Sequence, residues 1–198
     1  MNKARLEAFT DAVLAIILTI MILEFKTPKS LKFSAIFSQV LYLISYAIGY
    51  LFIGAAWYNH HFLFGKAKII TRHVFWANNL WLFGTSFLPV ATAWVGEGIF
   101  ARGPQAFYML IYAIWTIAFV ILAKQIIKAN ENHPAVVNSI KQLTLYRYLT
   151  YWPAVTVQVA LQILSLLFFP AGNLILITLQ IITSAVFSNK ESDKIIDS

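Results

Sequence analysis

The sequence predicts an all-α, polytopic membrane protein with six transmembrane helices in one domain that covers residues 1–198. Of its 198 residues, 60% are hydrophobic and only 12% are charged, and the mean hydropathy is +0.71. A soluble domain has about a quarter charged residues, so this chain has too few charges to cover a water-facing surface. Its apolar residues fall into runs, and a run of roughly 20 residues is enough to cross the hydrocarbon of a bilayer.

The polar residues between these runs set the limits of the predicted spans. The first run ends before Pro28, and the third contains Pro89, which a membrane helix tolerates where neighbours satisfy the freed carbonyl. The longest polar connector, Lys124 to Arg147, includes a stretch at 136–145 that suits an interfacial helix, and the tail at 188–198 is charged. The predicted spans are residues 6–25, 35–58, 74–95, 105–123, 148–169 and 171–187.

Basic residues predict the orientation of the spans, because cytoplasmic loops are enriched in Lys and Arg. With the N-terminus inside, the cytoplasmic segments hold Lys3, Arg5, Lys66, Lys68, Arg72, Lys124, Lys128, Lys141, Arg147, Lys190 and Lys194. The outer segments then hold Lys26, Lys29, Lys32 and Arg102. This asymmetry predicts a multi-pass protein of the cell membrane with both termini cytoplasmic. The three lysines of the first outer loop are the part of the pattern that fits least well.

Composition and missing motifs exclude several classes of function. The chain has no cysteine, which excludes disulfides and thiolate metal sites, and its net charge of +7 is explained by topology rather than by nucleic-acid binding. It has no Walker motif, no Gly-x-Ser-x-Gly elbow and no His-Glu-x-x-His zinc motif. A Thr-Val-Gly-Tyr-Gly carbonyl filter is also missing. We therefore expect no enzyme, no cofactor and no metal centre.

The first span carries an unusual density of charge. Arg5, Glu7 and Asp11 occupy its first two turns, and Asp11 lies six residues beyond Arg5, or about 9 Å along a helix axis. Ionisable groups at membrane depth are costly and usually face a bundle interior or water. Asp11 therefore indicates a functional position, although a carboxylate there also suits the positive end of the helix dipole.

One stripe of the same helix is a candidate pore lining. Ile16, Thr19, Ile20 and Leu23 follow the i, i+3, i+4, i+7 spacing that places residues on one helical face. A stripe of aliphatic residues interrupted by a single hydroxyl is compatible with a narrow pore that gates by dewetting. The alternative is an ordinary lipid-facing stripe, because every face of a membrane helix is aliphatic.

A polar cluster follows Trp57 at the end of the second span. Asn59, His60 and His61 are adjacent, and neighbouring histidines point about 100° apart on a helix, so one helix does not present both to one metal. We expect an interfacial hydrogen-bonding cluster, with metal binding or a proton relay as the alternatives. With the N-terminus inside, this cluster and Arg5 and Asp11 lie on the same side of the membrane.

Two of these stretches together resemble a known family. The first helix reads Arg5-x-x-x-Phe9-Thr10-Asp11-x-x-x-Ala15-Ile16, and the other helix ends in Trp57-x-Asn59-His60-His61. The former is similar to the first-helix signature Arg-x-x-x-Phe-Ser-Asp of the transmembrane-protein-175 potassium channels, and the latter resembles the end of that family's second helix. Thr10 replaces the usual serine and keeps its hydroxyl. Six spans in about 200 residues match the prokaryotic, single-repeat members.

The resemblance implies a homotetramer in which the first span of each subunit lines a central pore for potassium ions. Ile16 then falls at the main constriction, Thr19 at a hydroxyl layer, and Ile20 and Leu23 at further constrictions. The resemblance also implies a hydrogen-bonded network on the cytoplasmic side that steadies the pore helices. Its members would be Arg5, Thr10, Asp11, Trp57, Asn59, His60 and His61.

The sequence therefore predicts passive, potassium-selective permeation through a hydrophobic bottleneck, with the potassium ion and the lipid bilayer as partners. The second hypothesis is a small secondary transporter that uses Asp11, His60 and His61 as a proton relay, but the inverted repeats and broken helices typical of transporters are not evident in the sequence. A structural membrane protein without transport is the third hypothesis.

Overall fold

The structure, a computed structural model, describes residues 2–186, and every regular element in that part of the chain is helical. In chain order the α-helices are α1 (Lys3–Ile20), α2 (Val40–Lys66), α3 (Arg72–Thr85), α4 (Leu88–Glu97), α5 (Arg102–Ala129), α6 (Pro134–Gln142), α7 (Thr144–Thr150), α8 (Trp152–Phe168) and α9 (Gly172–Val186). Two 3₁₀ helices, Met21–Glu24 and Phe33–Gln39, lie between α1 and α2. The all-α prediction is confirmed for these residues.

Three helical segments are long and apolar enough to cross a membrane on their own: Lys3–Glu24, Phe33–Lys66 and Arg102–Ala129. A fourth crossing is possible if α7 and α8, which meet at an angle of 78°, form one broken span. Of the remaining helices, α9 is apolar but shorter. The chain is thus a multi-pass membrane protein, as its composition predicts.

The predicted third span, residues 74–95, is two helices rather than one. The break falls at Ser86 and Phe87, where the Phe87 N–H bonds to Gly84 O at 3.4 Å instead of continuing the α-helical pattern. Pro89 is therefore the second residue of α4, where a missing N–H removes no helical hydrogen bond. The proline that the sequence analysis places inside one long helix therefore lies in the first turn of a second helix.

Other helices differ from the predicted limits in length. The second helix continues to Lys66, so the polar cluster at 59–61 lies inside α2 rather than at its end. The helix is extended because Phe62, Leu63 and Phe64 are buried in the core. The interfacial stretch predicted at 136–145 forms most of α6 and the start of α7. The last residue of the predicted sixth span and the charged tail lie outside the described residues.

The core is an aromatic layer between α2, α3 and α5. Phe52 packs edge-on against Trp115 with ring centroids 4.8 Å apart, and Trp115 stacks on Phe119 at 5.6 Å. Trp81 of α3 is fully buried beside them, 4.9 Å from the imidazole of His60. These stacked rings support α2 against α3 and α5.

A polar clamp fixes the α2–α3 connector. The Asn130 side chain is fully buried at the end of α5, where its Oδ1 accepts from the N–H groups of Lys68 and Ile69 at 2.9 and 2.8 Å. Its Nδ2 donates to Ile69 O and to Ile126 O at 3.0 and 2.9 Å. From the other side, the Lys3 ammonium donates to Ala67 O at 3.1 Å, at the C-terminal end of α2. The connector is thereby attached to both α1 and α5.

An ion pair links the loop after α1 to α4. The Lys26 ammonium forms an ion pair with the Glu97 carboxylate, and this hydrogen bond and charge raise the pKa of Lys26 above its ordinary value. Both side chains are exposed, so the pair contributes little to stability. One of the three lysines that fit the orientation pattern poorly is therefore paired with a carboxylate.

Replacing Gly96 with alanine is expected to destabilise the packing of α4 on α2. A Cβ there would lie 2.7 Å from Tyr42 Cδ2 and 3.0 Å from Tyr42 Cα, and a backbone atom cannot move aside as a side chain can. Overpacking of this kind costs about 1–3 kcal/mol. The measurement is the thermal unfolding midpoint of the purified protein in detergent.

Gly103→Ala is the matched control for Gly96→Ala. A Cβ at Gly103 meets nothing closer than Trp94 Cζ2 at 3.8 Å, an ordinary van der Waals contact. Its effect should stay within about 0.5 kcal/mol. Equal midpoints for the two alanine variants would contradict the close approach of α4 to Tyr42.

Candidate functional site

Helix α1 has one face packed into the protein and one face left open. Its buried residues recur at helical spacing and are Leu6, Thr10, Leu14 and Ile17, followed by Met21 in the 3₁₀ turn. The opposite face is exposed and carries small side chains at Ala8, Ala12 and Ala15. No residue in the described part of the chain covers this second face, although it is part of an apolar helix.

The predicted pore-lining residues all lie on the open side. The side chains of Ile16, Ile20 and Leu23 are 57%, 42% and 77% exposed. Thr19 is exposed as well, and its hydroxyl donates to Ile16 O at 2.9 Å. The donor of Thr19 is therefore occupied within the helix, and its oxygen keeps free lone pairs that face outward.

The end of this stripe departs from α-helical geometry. Helix α1 ends at Ile20, and Leu23 belongs to the 3₁₀ helix Met21–Glu24. A 3₁₀ helix turns about 120° per residue instead of 100°, so three residues rotate Leu23 roughly 60° from the line that an α-helix would give. The predicted i+7 alignment of Leu23 with Ile16 is therefore only approximate.

A buried hydrogen-bonded chain joins α1, α3 and α2. Thr10 Oγ1 donates to Leu6 O at 2.9 Å, and Asn78 Nδ2 donates to Thr10 Oγ1 at 2.8 Å. Asn78 Oδ1 lies 2.8 Å from His60 Nε2. Thr10, Asn78 and His60 are at most 1% exposed. This chain passes through three helices and fixes the rotation of α1 about its axis.

The donor and the acceptor of each hydrogen bond in this chain follow from the bond between Thr10 Oγ1 and Leu6 O. The hydroxyl proton of Thr10 is committed to Leu6 O, so Thr10 can only accept from Asn78. The amide oxygen of Asn78 must then face His60, and His60 must carry its proton on Nε2. The imidazole is held between the rings of Phe64 and Trp81, at centroid distances of 4.3 and 4.9 Å.

A second cluster lies closer to the surface. The indole Nε1 of Trp57 donates to Asp11 Oδ1 at 2.8 Å, and the Trp57 ring stacks on His61 with centroids 5.4 Å apart. Asp11 is exposed on α1, so this bond links an exposed side chain of α1 to α2. Together the two clusters bring Thr10, Asp11, Trp57, His60 and His61 around one stretch of α1.

Two of the predicted network residues are not joined to these clusters. The Asn59 side chain donates to Ala55 O of its own helix at 2.7 Å. Arg5 is exposed, and its side chain forms no hydrogen bond or ion pair with residues 2–186. His60 and His61 point into different clusters, and no group of three possible metal ligands occurs in the described residues.

Sequence reasoning missed Asn78, the residue at the centre of the buried chain. Its signal was present as the pair Asn78-Asn79 in an otherwise apolar run. A polar side chain inside a membrane helix usually bonds to another helix, so the pair predicts an interhelical contact. It does not predict the partner, because only the packing of α3 against α1 and α2 shows which of the two points inward.

Asn78→Ala is expected to lower the stability of the protein substantially. It leaves the Thr10 oxygen and the His60 Nε2–H buried without a partner and opens a cavity, which together cost about 2–4 kcal/mol. The thermal unfolding midpoint measures the effect. Asn79→Ala is the control, because the Asn79 side chain is half-buried and bonds only to Phe75 O of its own helix. Equal losses in both variants would contradict the bonded chain.

An open groove runs along α1 and α3 beside the exposed stripe. Two adjoining hollows of about 410 and 560 Å³ share Phe9 as a lining residue, and the larger is lined mostly by apolar side chains. Trp76 and Phe83 of α3 are 60% and 61% exposed along it. An aromatic groove of this length next to a bare helix face is a surface suited to further packing.

The N-terminal half of the chain matches a protein-family model. The model described as endosomal/lysosomal potassium channel TMEM175 matches residues 5–89, which include every residue of the two clusters. A curated potassium channel from Chryseobacterium sp. is 40% identical over 128 residues, which are 65% of this chain and 67% of that protein. Another from Streptomyces collinus is 31% identical over 60% of this chain and 62% of its own length. The chain thus spans about two thirds of these relatives, or slightly less.

A solved structure is similar over almost the whole chain. It is the crystal structure described as a lysosomal potassium-selective channel TMEM175 homolog from Chamaesiphon minutus, with 27% sequence identity and a TM-score of 0.75. The match covers 94% of this chain and 98% of that one. The helical arrangement, including the part beyond residue 89, is therefore shared.

Proposed function

The chain belongs to the transmembrane-protein-175 family of potassium channels, and on this premise we propose that it forms a potassium-selective channel whose pore is lined by the open face of α1. The observation that carries the proposal is this face itself. Ile16, Thr19, Ile20 and Leu23 are exposed although α1 is apolar, while its other face is fully packed. A pore formed between several subunits would enclose this exposed face of α1.

The proposed pore selects by dehydration rather than by coordination. A ring of Ile16 side chains offers no oxygen to replace the hydration shell of an ion, so each ion loses part of that shell at the constriction. Potassium holds its water less strongly than sodium and passes more readily. The outward lone pairs of Thr19 supply the few oxygens near this point. Permeation is passive, and no cofactor is required beyond the permeant ion.

A homotetramer is the assembly that we propose. One subunit exposes a single pore-facing stripe, which cannot enclose an ion path, so several copies of α1 must surround the axis. The aromatic groove of α1 and α3 gives the neighbouring subunit a surface to pack against, with Trp76 and Phe83 as its most exposed rings. Arg5 lies at one end of this groove and has room to contact a neighbouring subunit or the pore.

The proposed topology has six crossings: α1, α2, the pair α3 and α4, α5, the pair α7 and α8, and α9. Both termini are then cytoplasmic in the cell membrane. In this orientation the Thr10 and Asp11 clusters lie toward the cytoplasmic end of the pore helix. Bonds from α2 and α3 hold that end of α1 in one rotation. In the proposed assembly, this rotation would direct Ile16 at the pore axis.

The reversal potential of the purified protein in planar bilayers tests the proposal. With potassium on one side and sodium on the other, we expect single-channel currents that reverse toward the potassium equilibrium potential. A current without preference for potassium would contradict the selectivity. Vesicles that accumulate a solute or protons without such a current would instead indicate a transporter, and the channel proposal would fail.

A further inference from the structure

An open pocket lies at the junction of α7 and α8, away from the candidate pore. It has a volume of about 550 Å³ and is lined by Thr144, Arg147, Tyr148, Thr150 and Tyr151. The opposite side of α7 is anchored in the core by Leu145 and Leu149, which are buried. The short helix therefore presents one arginine and several hydroxyl-bearing side chains outward from a fixed position.

The bend places this pocket at the depth of lipid headgroups. Helix α8 is apolar, and α7 meets it at 78°, so a membrane-crossing α8 leaves α7 nearly parallel to the membrane plane. Tyr151 and Trp152 at the junction are 62% and 75% exposed, and aromatic residues of this kind concentrate at the membrane–water interface. In the topology proposed above, this interface is the cytoplasmic one.

The donors of the pocket suit a phosphate group. Arg147 is exposed and forms no ion pair within residues 2–186, and its guanidinium can bind two phosphate oxygens at once. The Thr150 hydroxyl already donates to Tyr146 O, and the Tyr148 hydroxyl donates to Gln158 Oε1 at 2.6 Å. This leaves Arg147, with the exposed phenol of Tyr151 beside it, to hold the anion. Among residues 2–186, no carboxylate lines the pocket to oppose it.

We propose that this pocket binds the headgroup phosphate of an anionic phospholipid from the cytoplasmic leaflet, with Arg147 as its principal ligand. The proposal rests on the topology given under the proposed function. Basic pockets between membrane helices on the cytoplasmic side are suited to such headgroups. A lipid bound here would lie along the outside of α8, remote from the α1 stripe.

Native mass spectrometry of the full-length protein, transferred from detergent containing phosphatidylglycerol or phosphatidylcholine, tests the proposal. We expect phosphatidylglycerol to be retained and phosphatidylcholine to be lost. Arg147→Gln should weaken retention about fivefold, the weight of one basic residue at an anionic headgroup, and Arg147→Lys should weaken it less. Lys124→Gln is the control, because Lys124 is an exposed cation of α5 outside the pocket.

Several results would overturn the proposal. Equal retention by wild type and Arg147→Gln would mean that Arg147 does not hold the lipid. Equal losses in Arg147→Gln and Lys124→Gln would mean that only overall charge matters. Displacement of the lipid by millimolar inorganic phosphate would mean that the pocket takes soluble phosphate. None of these outcomes depends on ion current, so the channel proposal is judged separately by its reversal potential.

Discussion

Channels in which Ile16 is replaced by asparagine are expected to carry a larger potassium current and to discriminate less against sodium. The substitution places an amide oxygen and two N–H donors where the proposed constriction has only aliphatic surface. Water and partly hydrated ions then find partners at the narrowest point, and the dehydration barrier that separates potassium from sodium becomes smaller. A barrier lowered by about 1 kcal/mol raises the rate roughly fivefold.

The measurement is single-channel conductance together with the reversal potential under potassium and sodium gradients. Ile117→Asn is the matched control, since Ile117 lies on α5 and is 61% exposed, close to the 57% of Ile16. It adds the same polar group outside the proposed pore and should leave both quantities unchanged. If Ile16→Asn also changes neither, Ile16 does not lie at the constriction.

Asn130→Ala is expected to produce one of the largest losses of stability in the chain. The side chain makes four hydrogen bonds, two of them to the N–H groups of Lys68 and Ile69, which have no other partner among the described contacts. An unpaired buried backbone group costs about 1–3 kcal/mol. Because Lys68 and Ile69 lie near the surface and water reaches them in part, we expect a total loss of about 2–3 kcal/mol.

Thermal unfolding in detergent measures this loss of stability. Two further variants are compared with Asn130→Ala. Asn130→Asp keeps an oxygen that accepts from Lys68 and Ile69, but its second carboxylate oxygen would face Ile69 O and Ile126 O at a fully buried site, so its loss should be at least that of alanine. Asn132→Ala removes an exposed amide two residues away and should change the midpoint little. If Asn130→Ala behaves like Asn132→Ala, the connector is not held by this side chain.

The family and the general architecture could be predicted from the sequence, and both are confirmed. Composition alone predicts a multi-pass helical protein, because apolar residues dominate and most charges lie in connectors. The motif around Asp11 predicts the family, since a charged residue inside a first membrane helix is rare and its neighbours are specific. The role of Ile16 in a pore remains a prediction that the proposed recordings must test.

The details that sequence reasoning lacked depend on tertiary contacts. The sequence placed Pro89 inside one continuous helix, but the structure has two helices that are separated at Ser86 and Phe87, with Pro89 in the first turn of the second. The length of α2 could not be read from its polar cluster, because burial of Phe62 and Phe64 extends the helix beyond it. Asn78 was overlooked for a similar reason, since its partners come from two other helices.

The bonded chain from Leu6 to His60 has one further consequence, for proton movement. Each hydrogen atom in it belongs to one donor, and its middle member is the Asn78 amide, whose oxygen cannot take up a proton from His60 while its nitrogen passes one to Thr10 without forming a high-energy tautomer. The neighbouring link runs through an indole N–H, which can donate but never accept. The hydrogen-bonded residues beside α1 therefore hold this helix in place but do not conduct protons, because no proton can pass through the Asn78 amide or the Trp57 indole.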